Sequence, residues 1–576
     1  MRPKLAYLFS RYPVVTHTFI DNEILALEAN GWDVVVASLS PPKNDFRHER
    51  LDTLQAPILY SPGNSIQQDL QRIAEREGRW PTSMIVEQDK RIDHGLNREQ
   101  RCKQVLPLVG ALEMLGVDHV HLHFANRATH SALFLKSLAG ISFSFTPQAQ
   151  DFLVDLKSIE LLQELCAEAE FVVAPCQFAL QELERLCPHQ IGKFRCIYNG
   201  VNPDSYLIAS PRPSPASFKV ISVGRLIEFK GYHFLIEAVA AARAKGVMVS
   251  LEIFGDGPWR GQLEGKLDEL GLRGQVSLPG TIELQEMRKR LSRADAFALP
   301  CCVDENGAMD MFPTIITEAM LSGLPVLSSN LAAVPEQVHD GITGILTKPG
   351  DVDGLCEALV LFAKEPALAA KMGSAGLRRA KKLFSVTATL PLLEEEFEKV
   401  NGRRERADIT KTMAYVNLNR TRSLDGIDAI NDADVALWVS GGLGANPMIL
   451  PANAKVFWMP DGMALEMEWQ RCNSRRRHLE SLRTELSTSI DGEWFFEAAR
   501  EALWIAVQGG RIGINRLVAL GTHETLVVWL VAGLAGWKAE STIDQSAAFK
   551  GKLKDRIKSD VSLLSTESRE PNPLRS

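Results

Sequence analysis

Two basic residues lie close together in one short loop, within the segment KVISVGRLIEFKGYHFLIEAV. The segment is typical of a strand, followed by Gly224, then Arg225 and Lys230, then a helix. In open α/β folds ligands bind at the carboxyl ends of the strands, so this loop can hold two fixed cations at such an edge. Arginine offers a planar fork for phosphate oxygens and lysine a point charge. The pattern favours binding of an anion such as a diphosphate, and an ordinary surface loop is the alternative.

Two carboxylates follow in the segment DMFPTIITEAMLSGLPVLSS. Pro313 fits the first turn of a helix, so Asp310, Met311 and Phe312 come just before the helix and Glu318 lies on it. Helix N-termini bind phosphate through free N–H groups, and a nucleotide diphosphate sugar fits here with one carboxylate on its ribose and the other on its sugar. The alternatives are a helix-stabilising charge for Asp310 and a solvated position for Glu318. The apolar neighbours of Glu318 instead predict a buried helix, where an unpaired carboxylate is costly.

The elements that must position these residues are alternating strands and helices. Residues 1–205 form one such series, and residues 206–400 form a second after the proline-rich break SPRPSPAS. Residues 401–576 form a third series with a polar, frayed tail. This alternation predicts an α/β fold with parallel sheets covered by helices. We expect a helical excursion between residues 42 and 104, and a helix over 386–400 that closes the first domain.

Composition narrows the class of protein. The 576 residues are 45% hydrophobic and 23% charged, which is typical of globular domains and argues against a disordered chain, a collagen or a coiled coil. The net charge of −7 supplies no global basic field for nucleic acid, so we expect no nucleic-acid partner. The nine cysteines show no CxxC spacing, and the first residues lack the apolar core of a signal peptide. We therefore expect a cytoplasmic protein.

The second series resembles the GT-B retaining glycosyltransferases of family four through five ordered motifs: GRLIEFKG, IFGDGP, VSLPGTIELQEMRKRLSRADAFALP, DMFPTIITEAMLSGLPVLSS and AAVPEQVHDGITGILTKPGD. The first series is similar to the exopolysaccharide and colanic-acid branch through SRYPVVTHTFIDNE, HVHLHFANRATHSA, ISFSFTPQAQDF and FRCIYNGVN. The resemblance covers residues 1 to about 400. It implies two Rossmann-like domains that face a cleft, with the donor mainly on the second and the acceptor mainly on the first. The linker around 205–217 is then expected to act as a hinge.

The resemblance also implies a role for each site residue. Arg225 and Lys230 would hold the diphosphate, Glu318 the ribose, and Asp310 the hydroxyls of the donor sugar. Further donor-side residues are expected to be Gly224, Gly255, Met311, Phe312 and Pro313. Acceptor-side residues are expected to be Thr16, His17 and Thr18.

Four positions depart from the family's usual pattern. Asp310 takes the place of the first glutamate of the family's E-x7-E pattern, which is a mild departure because its side chain is shorter. Met311 stands where the family usually has glycine, and its side chain is expected to narrow the donor pocket. Gln148 stands where the family usually has a histidine near the reacting sugar, and His17 stands where the branch tends to have glutamate. Glutamine cannot carry a proton, although it can donate a hydrogen bond to a sugar hydroxyl. We count Gln148 and Asp310 as the candidate catalytic residues.

The resemblance implies glycosyl transfer with retention at the anomeric carbon and without a metal ion or other cofactor. The reaction places growing charge on the departing diphosphate, and two cations and a helix N-terminus can stabilise that charge. We expect no metal site: the alternating His119, His121 and His123 fit a domain core better than a metal centre. The expected partners are a nucleotide sugar and a glycan or lipid-linked acceptor, with peripheral association at the inner membrane face.

Two other functions fit the same residues. A GT-B fold that binds sugar nucleotides without turnover, as a scaffold, is favoured by Gln148 and Met311. The second alternative function is a different GT-B reaction on a nucleotide sugar, such as epimerisation. The third domain carries Gly441, Gly442 and Gly444 after a predicted strand, which is a weak signal for nucleotide binding.

Overall fold

The structure is a computed structural model that describes residues 4–14, 17–43, 49–89, 97–148, 159–209 and 217–400. Beyond residue 400 it describes 413–417, 435–439, 454–458, 465, 498–506, 508, 516–519, 527, 531 and 538–541.

The first domain is a seven-stranded sheet in the order β3-β2-β1-β4-β5-β6-β7, with every neighbouring pair parallel. Its strands are β1 (Lys4–Phe9), β2 (Asp33–Ser38), β3 (Ile58–Tyr60), β4 (Val117–His123), β5 (Ser142–Thr146), β6 (Val172–Ala174) and β7 (Phe194–Cys196). Its helices are α1 (Thr18–Ala29), α2 (Asn64–Arg76), α3 (Thr82–Asp89), α4 (Arg98–Met114), α5 (Arg127–Ala139), α6 (Ile159–Glu168) and α7 (Gln177–Leu186). The expected helical excursion therefore also contains an edge strand, β3, whose three residues are too few to show a period.

The second domain is a six-stranded parallel sheet in the order β10-β9-β8-β11-β12-β13. Its strands are β8 (Phe218–Val223), β9 (Val249–Phe254), β10 (Val276–Gly280), β11 (Ala296–Leu299), β12 (Val326–Ser329) and β13 (Gly344–Thr347). Its helices are α8 (Tyr232–Ala244), α9 (Arg260–Glu269), α10 (Leu284–Leu291), α11 (Thr314–Leu321), α12 (Val334–Gln337), α13 (Val352–Lys364), α14 (Pro366–Leu383) and α15 (Val386–Val400). This strand order is that of a Rossmann sheet, and ligands bind such sheets where the order reverses, here between β8 and β11.

The last helix, α15, leaves the second domain and packs on the first. The indole Nε1 of Trp32 donates to Glu394 Oε1 at 2.7 Å, and its ring lies 5.8 Å from that of Phe397. The Phe397 side chain is fully buried. A helix from the end of the second series therefore completes the core of the first domain.

The third unit is a five-stranded parallel sheet in the order β16-β15-β14-β17-β18. Its strands are β14 (Met413–Asn417), β15 (Val435–Val439), β16 (Ala454–Trp458), β17 (Arg516–Ala519) and β18 (Lys538–Ser541). It touches the edge of the first sheet: the Trp504 ring lies 5.7 Å from that of Tyr60, and Gln508 Oε1 accepts from the Ile58 N–H at 2.8 Å. The three glycines after β15 lie outside the described residues.

Candidate active site

The loops after β8 and β9 approach each other too closely for side chains. A Cβ atom on Gly255, whose φ is +138°, would lie 1.9 Å from the carbonyl oxygen of Gly224. A Cβ atom on Gly231, whose φ is +68°, would lie 1.9 Å from the carbonyl oxygen of Pro300, just after β11. Only glycine avoids such contacts. These close contacts hold the loop that carries Arg225 and Lys230 between β8 and β11, where the strand order of the sheet reverses.

Lys230 and Asp310 form an ion pair at this edge. The lysine residue is only 9% exposed, and its Nζ donates to Asp310 Oδ2. Burial lowers the pKa of Lys230, but Asp310, Cys301 and Tyr232 together outweigh burial and raise the pKa overall. The lysine therefore stays charged. Arg225 is exposed on the same loop and, among the described residues, forms no ion pair.

The helix that carries the second carboxylate begins where the sequence places it. Pro313 is the N-cap of α11, so Asp310 precedes the helix and Glu318 lies on its second turn. Met311 is only 1% exposed and packs in the hydrophobic core. The expectation that its side chain narrows the donor pocket stays a prediction. Phe312 is also buried, and its ring stacks 5.5 Å from that of Tyr198.

Glu318 is buried beneath a tyrosine from the segment that connects the first two domains. The Tyr206 hydroxyl donates to Glu318 Oε2 at 2.7 Å, and the Arg288 guanidinium lies 5.1 Å from the Tyr206 ring centre. Glu318 is 8% exposed. Burial raises its pKa, and the opposing effects of Tyr206, Arg50 and Arg288 do not cancel that rise. The carboxylate assigned to the ribose thus already has a protein partner.

Arg50 brings the first domain into the same cluster. Its Nη1 donates to the Thr18 carbonyl oxygen at 3.2 Å and to Asn22 Oδ1 at 2.6 Å. Its Nε and Nη2 are buried without a hydrogen-bond partner among the described residues. Burial lowers the pKa of Arg50, while Asp21 and Glu318 act in the opposite direction. Arg50 and Tyr206 belong to no motif of the sequence, and nothing in the motif that contains Arg288 singles this residue out. The three residues meet only through the fold.

The structure therefore groups the four predicted donor residues into two parts. Lys230 and Asp310 form one pair, and Arg225 lies on the same loop as Lys230. Glu318 belongs instead to a cluster with Tyr206 and residues of both domains. Both parts lie at the start of α11.

The acceptor-side residues surround the carboxyl end of the first sheet. Gln148 Oε1 accepts from Asn199 Nδ2 at 3.3 Å, while its Nε2 is buried without a partner among the described residues. His17 immediately precedes α1, and its ring lies 5.1 Å from that of Phe124; burial lowers the pKa of this histidine to about 4. Thr18 is the first residue of α1, and Thr16 lies outside the described residues.

Two of the alternating histidines and a glutamate lie close enough to hold a metal ion. Ligand atoms of Glu23, His121 and His123 all lie within 4.8 Å of one another. Glu23 Oε1, however, is 3.0 Å from His123 Nε2, and both ring nitrogens of His121 lie 2.8 and 3.1 Å from hydroxyl groups of β5. These atoms form a buried polar network with protein groups. The Nδ1 atom of His123 is buried without a hydrogen-bond partner among the described residues. The expectation of no metal site stays a prediction.

Within the part of the chain that the structure describes, no helix is both long and apolar enough to cross a bilayer.

Comparison with known proteins connects this geometry to a family. Residues 208–379 match the family described as "Glycosyl transferases group 1". The colanic acid biosynthesis glycosyltransferase WcaL of Escherichia coli is 31% identical over 222 residues, which are 37% of this chain and 53% of that protein. The amylovoran biosynthesis glycosyltransferase AmsK of Erwinia amylovora is 24% identical over 425 residues, which are 71% of this chain and all of that protein. The chain thus spans about half the length of the first relative.

Solved structures match the fold. The crystal structure of HepE of Anabaena with UDP and glucose superposes with a TM-score of 0.51, at 16% identity, over 69% of this chain and all of that one. The structure of sucrose-phosphate synthase of Thermosynechococcus elongatus superposes with a TM-score of 0.50, at 19% identity, over 69% of this chain and 99% of that one. The predicted GT-B architecture is confirmed, as is the resemblance to group 1 glycosyltransferases of the colanic-acid type.

Proposed function

Because residues 208–379 are a group 1 glycosyltransferase domain, we propose that this chain transfers a sugar from a nucleotide diphosphate sugar to a glycan acceptor during exopolysaccharide or cell-surface polysaccharide synthesis. The relatives named for colanic acid and amylovoran biosynthesis support the pathway class. HepE, which binds UDP and glucose, supports a uridine nucleotide as the donor. The acceptor is a lipid-linked glycan. The protein reaches it by associating peripherally with the inner membrane face.

One observation carries the proposal: the buried, charged Lys230 paired with Asp310 at the reversal point of a Rossmann sheet. A cation held there is in place before the substrate arrives. A preorganised charge stabilises the leaving diphosphate without reorganisation during the reaction. The exposed Arg225 on the same loop adds a bidentate fork for phosphate oxygens.

The reaction retains the configuration of the anomeric carbon and needs no metal ion. The bond between that carbon and the diphosphate oxygen breaks, and the acceptor hydroxyl oxygen bonds to the carbon on the same face. The hydroxyl proton passes to the departing phosphate oxygen, so no protein base is required. Asp310 accepts hydrogen bonds from the sugar, and Gln148 donates one through the amide nitrogen that has no protein partner among the described residues.

Donor binding is tested by thermal shift with UDP, GDP, ADP and dTDP. We expect one of them to raise the melting temperature of the native chain. Glu318→Ala should abolish this stabilisation because the ribose loses its carboxylate. Glu269→Ala changes an exposed residue on α9 and should bind like the native chain. Equal stabilisation of all three proteins would contradict the ribose assignment.

Turnover is tested with the matching nucleotide sugar and a lipid-linked glycan fraction. We expect Lys230→Ala to lower kcat by about 10²- to 10³-fold, the usual cost of losing one group that stabilises developing charge. NMR of the anomeric proton of the product determines whether configuration is retained. An inverted product would overturn the retaining assignment.

A scaffold without turnover is the second candidate, and the Gln148 amide in place of a histidine favours it. Tight nucleotide binding with neither donor hydrolysis nor transfer would select this function. An isomerised nucleotide sugar as the product would select epimerisation. Gln148→His provides the matched test, because a gain in transfer rate would show that the glutamine limits an existing reaction.

A further inference from the structure

A group of basic side chains lies at the carboxyl edge of the first sheet, apart from the donor residues. We call it the arginine corner: Arg101 on α4, with Arg127 and His130 on α5. Helix α4 leads into β4 and α5 follows it, so both helices begin at the carboxyl edge of this strand. The two helices pack against each other along their length. Their first turns therefore converge at one place.

Among the described residues, the two arginines of this corner have no carboxylate partner. Arg101 Nη1 donates to the neutral Gln104 Oε1 at 2.7 Å, and its Nε is buried without a hydrogen-bond partner among the described residues. Within that part of the chain, neither Arg101 nor Arg127 forms an ion pair. The neighbouring Arg98 is different, because its two terminal nitrogens lie 3.3 and 2.6 Å from the carboxylate of Glu164.

The histidine beside these cations is also unsatisfied. His130 is 8% exposed, and its Nδ1 is buried without a hydrogen-bond partner among the described residues. Burial lowers its pKa to about 3, and Arg101 and Arg98 act in the same direction. Burial and the nearby Arg127 likewise lower the pKa of Arg101. Placing Arg101 and Arg127 close together at a partly buried position costs free energy, because their charges repel each other. A bound anion would reduce this repulsion.

We propose that the arginine corner binds a phosphate or diphosphate group carried by the acceptor. The guanidinium group of arginine forms paired hydrogen bonds to phosphate oxygens. Gln148 follows β5, which is the neighbour of β4, and so belongs to the same edge. The inference rests on the proposed function, because that function assigns this edge of the first domain to the acceptor. It adds that the acceptor is recognised through its charge as well as its sugar.

Inorganic pyrophosphate is the probe for this site. The double variant Arg225→Ala, Lys230→Ala lacks the donor cations, so pyrophosphate bound to it reports a second site. We expect pyrophosphate to raise the melting temperature of this variant, and addition of Arg101→Gln or Arg127→Gln to weaken its binding at least ten-fold. Arg127 is exposed, so its replacement should not disturb the fold. Arg72→Gln, on α2 with a side chain 73% exposed, is the matched control and should have no effect.

Two results would overturn the proposal. One is pyrophosphate binding that is absent from the double variant or unaffected by both arginine replacements. The other is binding to phosphatidylglycerol vesicles, without acceptor, that depends on Arg101 and Arg127, because the corner would then face a membrane headgroup. Nucleotide stabilisation of the otherwise native Arg127→Gln chain separates the two proposals. If it persists while pyrophosphate fails, only the corner is wrong; if no nucleotide stabilises even the native chain, the proposed function is wrong.

Discussion

Tyr206→Phe tests whether the nucleotide displaces a protein group from Glu318. The Tyr206 hydroxyl donates to the Glu318 carboxylate at 2.7 Å, and both side chains are buried. If the ribose hydroxyls bind that carboxylate, they must first replace the tyrosine. Removing the hydroxyl therefore removes a competitor and leaves the ring in place. We expect the variant to bind the nucleotide more tightly than the native chain.

The size of the effect follows from the bond that is broken. A hydrogen bond to a charged group contributes about 1.5–3 kcal/mol, and leaving a buried carboxylate without its donor costs a similar amount. Since about 1.4 kcal/mol is a factor of ten, the nucleotide Kd should fall about ten- to a hundred-fold. The same substitution should lower the free energy of unfolding of the unliganded protein by about 1.5–3 kcal/mol.

Isothermal titration with the nucleotide chosen by thermal shift measures the Kd, and urea denaturation measures the stability. Tyr198→Phe is the matched control, because its hydroxyl donates to Glu336 at 3.1 Å rather than to Glu318. That control should lose stability without gaining nucleotide affinity. The reasoning is refuted if Tyr206→Phe binds the nucleotide no more tightly than the native chain while Glu318→Ala still abolishes binding.

Three further predictions concern acid stability, the crossing helix and the metal requirement. Burial holds the pKa of His17 at about 4 in the folded state against 6.5 when exposed, so the unfolded chain binds more protons over this range and stability falls as the pH drops from about 6.5 to 4. His17→Asn should remove about 3 kcal/mol of that loss in urea titrations across the range. Phe397→Ala should lower the free energy of unfolding by about 3–5 kcal/mol by opening a cavity under α15, and Leu392→Ala, at a 50% exposed position on that helix, should cost far less. EDTA should leave the rate of sugar transfer unchanged, and a loss that Mg²⁺ or Mn²⁺ restores would contradict the metal-independent mechanism.

Local patterns in the sequence were sufficient to predict the donor loop and the start of α11. Lys230 lies in a strand-loop-helix unit, and Pro313 fixes where the next helix can begin, so both depend on a few consecutive residues. The core elements were also predictable, because buried parallel strands have continuous apolar runs. The strand β3 could not be predicted, because its three residues are too few to show a hydrophobic pattern.

Local sequence patterns could not predict contacts between segments that are distant in the chain. Tyr206 lies in a connecting segment, and Arg50 follows the first sheet's second strand by a dozen residues; neither belongs to a motif. Their proximity to Glu318 depends on how the two domains face each other. Met311 is a further example. The sequence places it beside the predicted donor residues, but only the packing of the fold determines that its side chain is buried.

The two carboxylates of the proposed donor site share one feature: each is already paired with a donor from the protein. Lys230 pairs with Asp310, and Tyr206 donates to Glu318. This pairing is required because a buried carboxylate without a partner costs several kcal/mol. A nucleotide sugar that binds as proposed must therefore exchange partners at both places. Its diphosphate draws on Lys230 and leaves Asp310 to accept sugar hydroxyls, while its ribose replaces Tyr206. A nucleoside diphosphate supplies the groups for Lys230 and Glu318, whereas only the whole nucleotide sugar also offers hydroxyls to the Asp310 carboxylate. We therefore infer that the nucleotide sugar binds more tightly than the nucleotide alone.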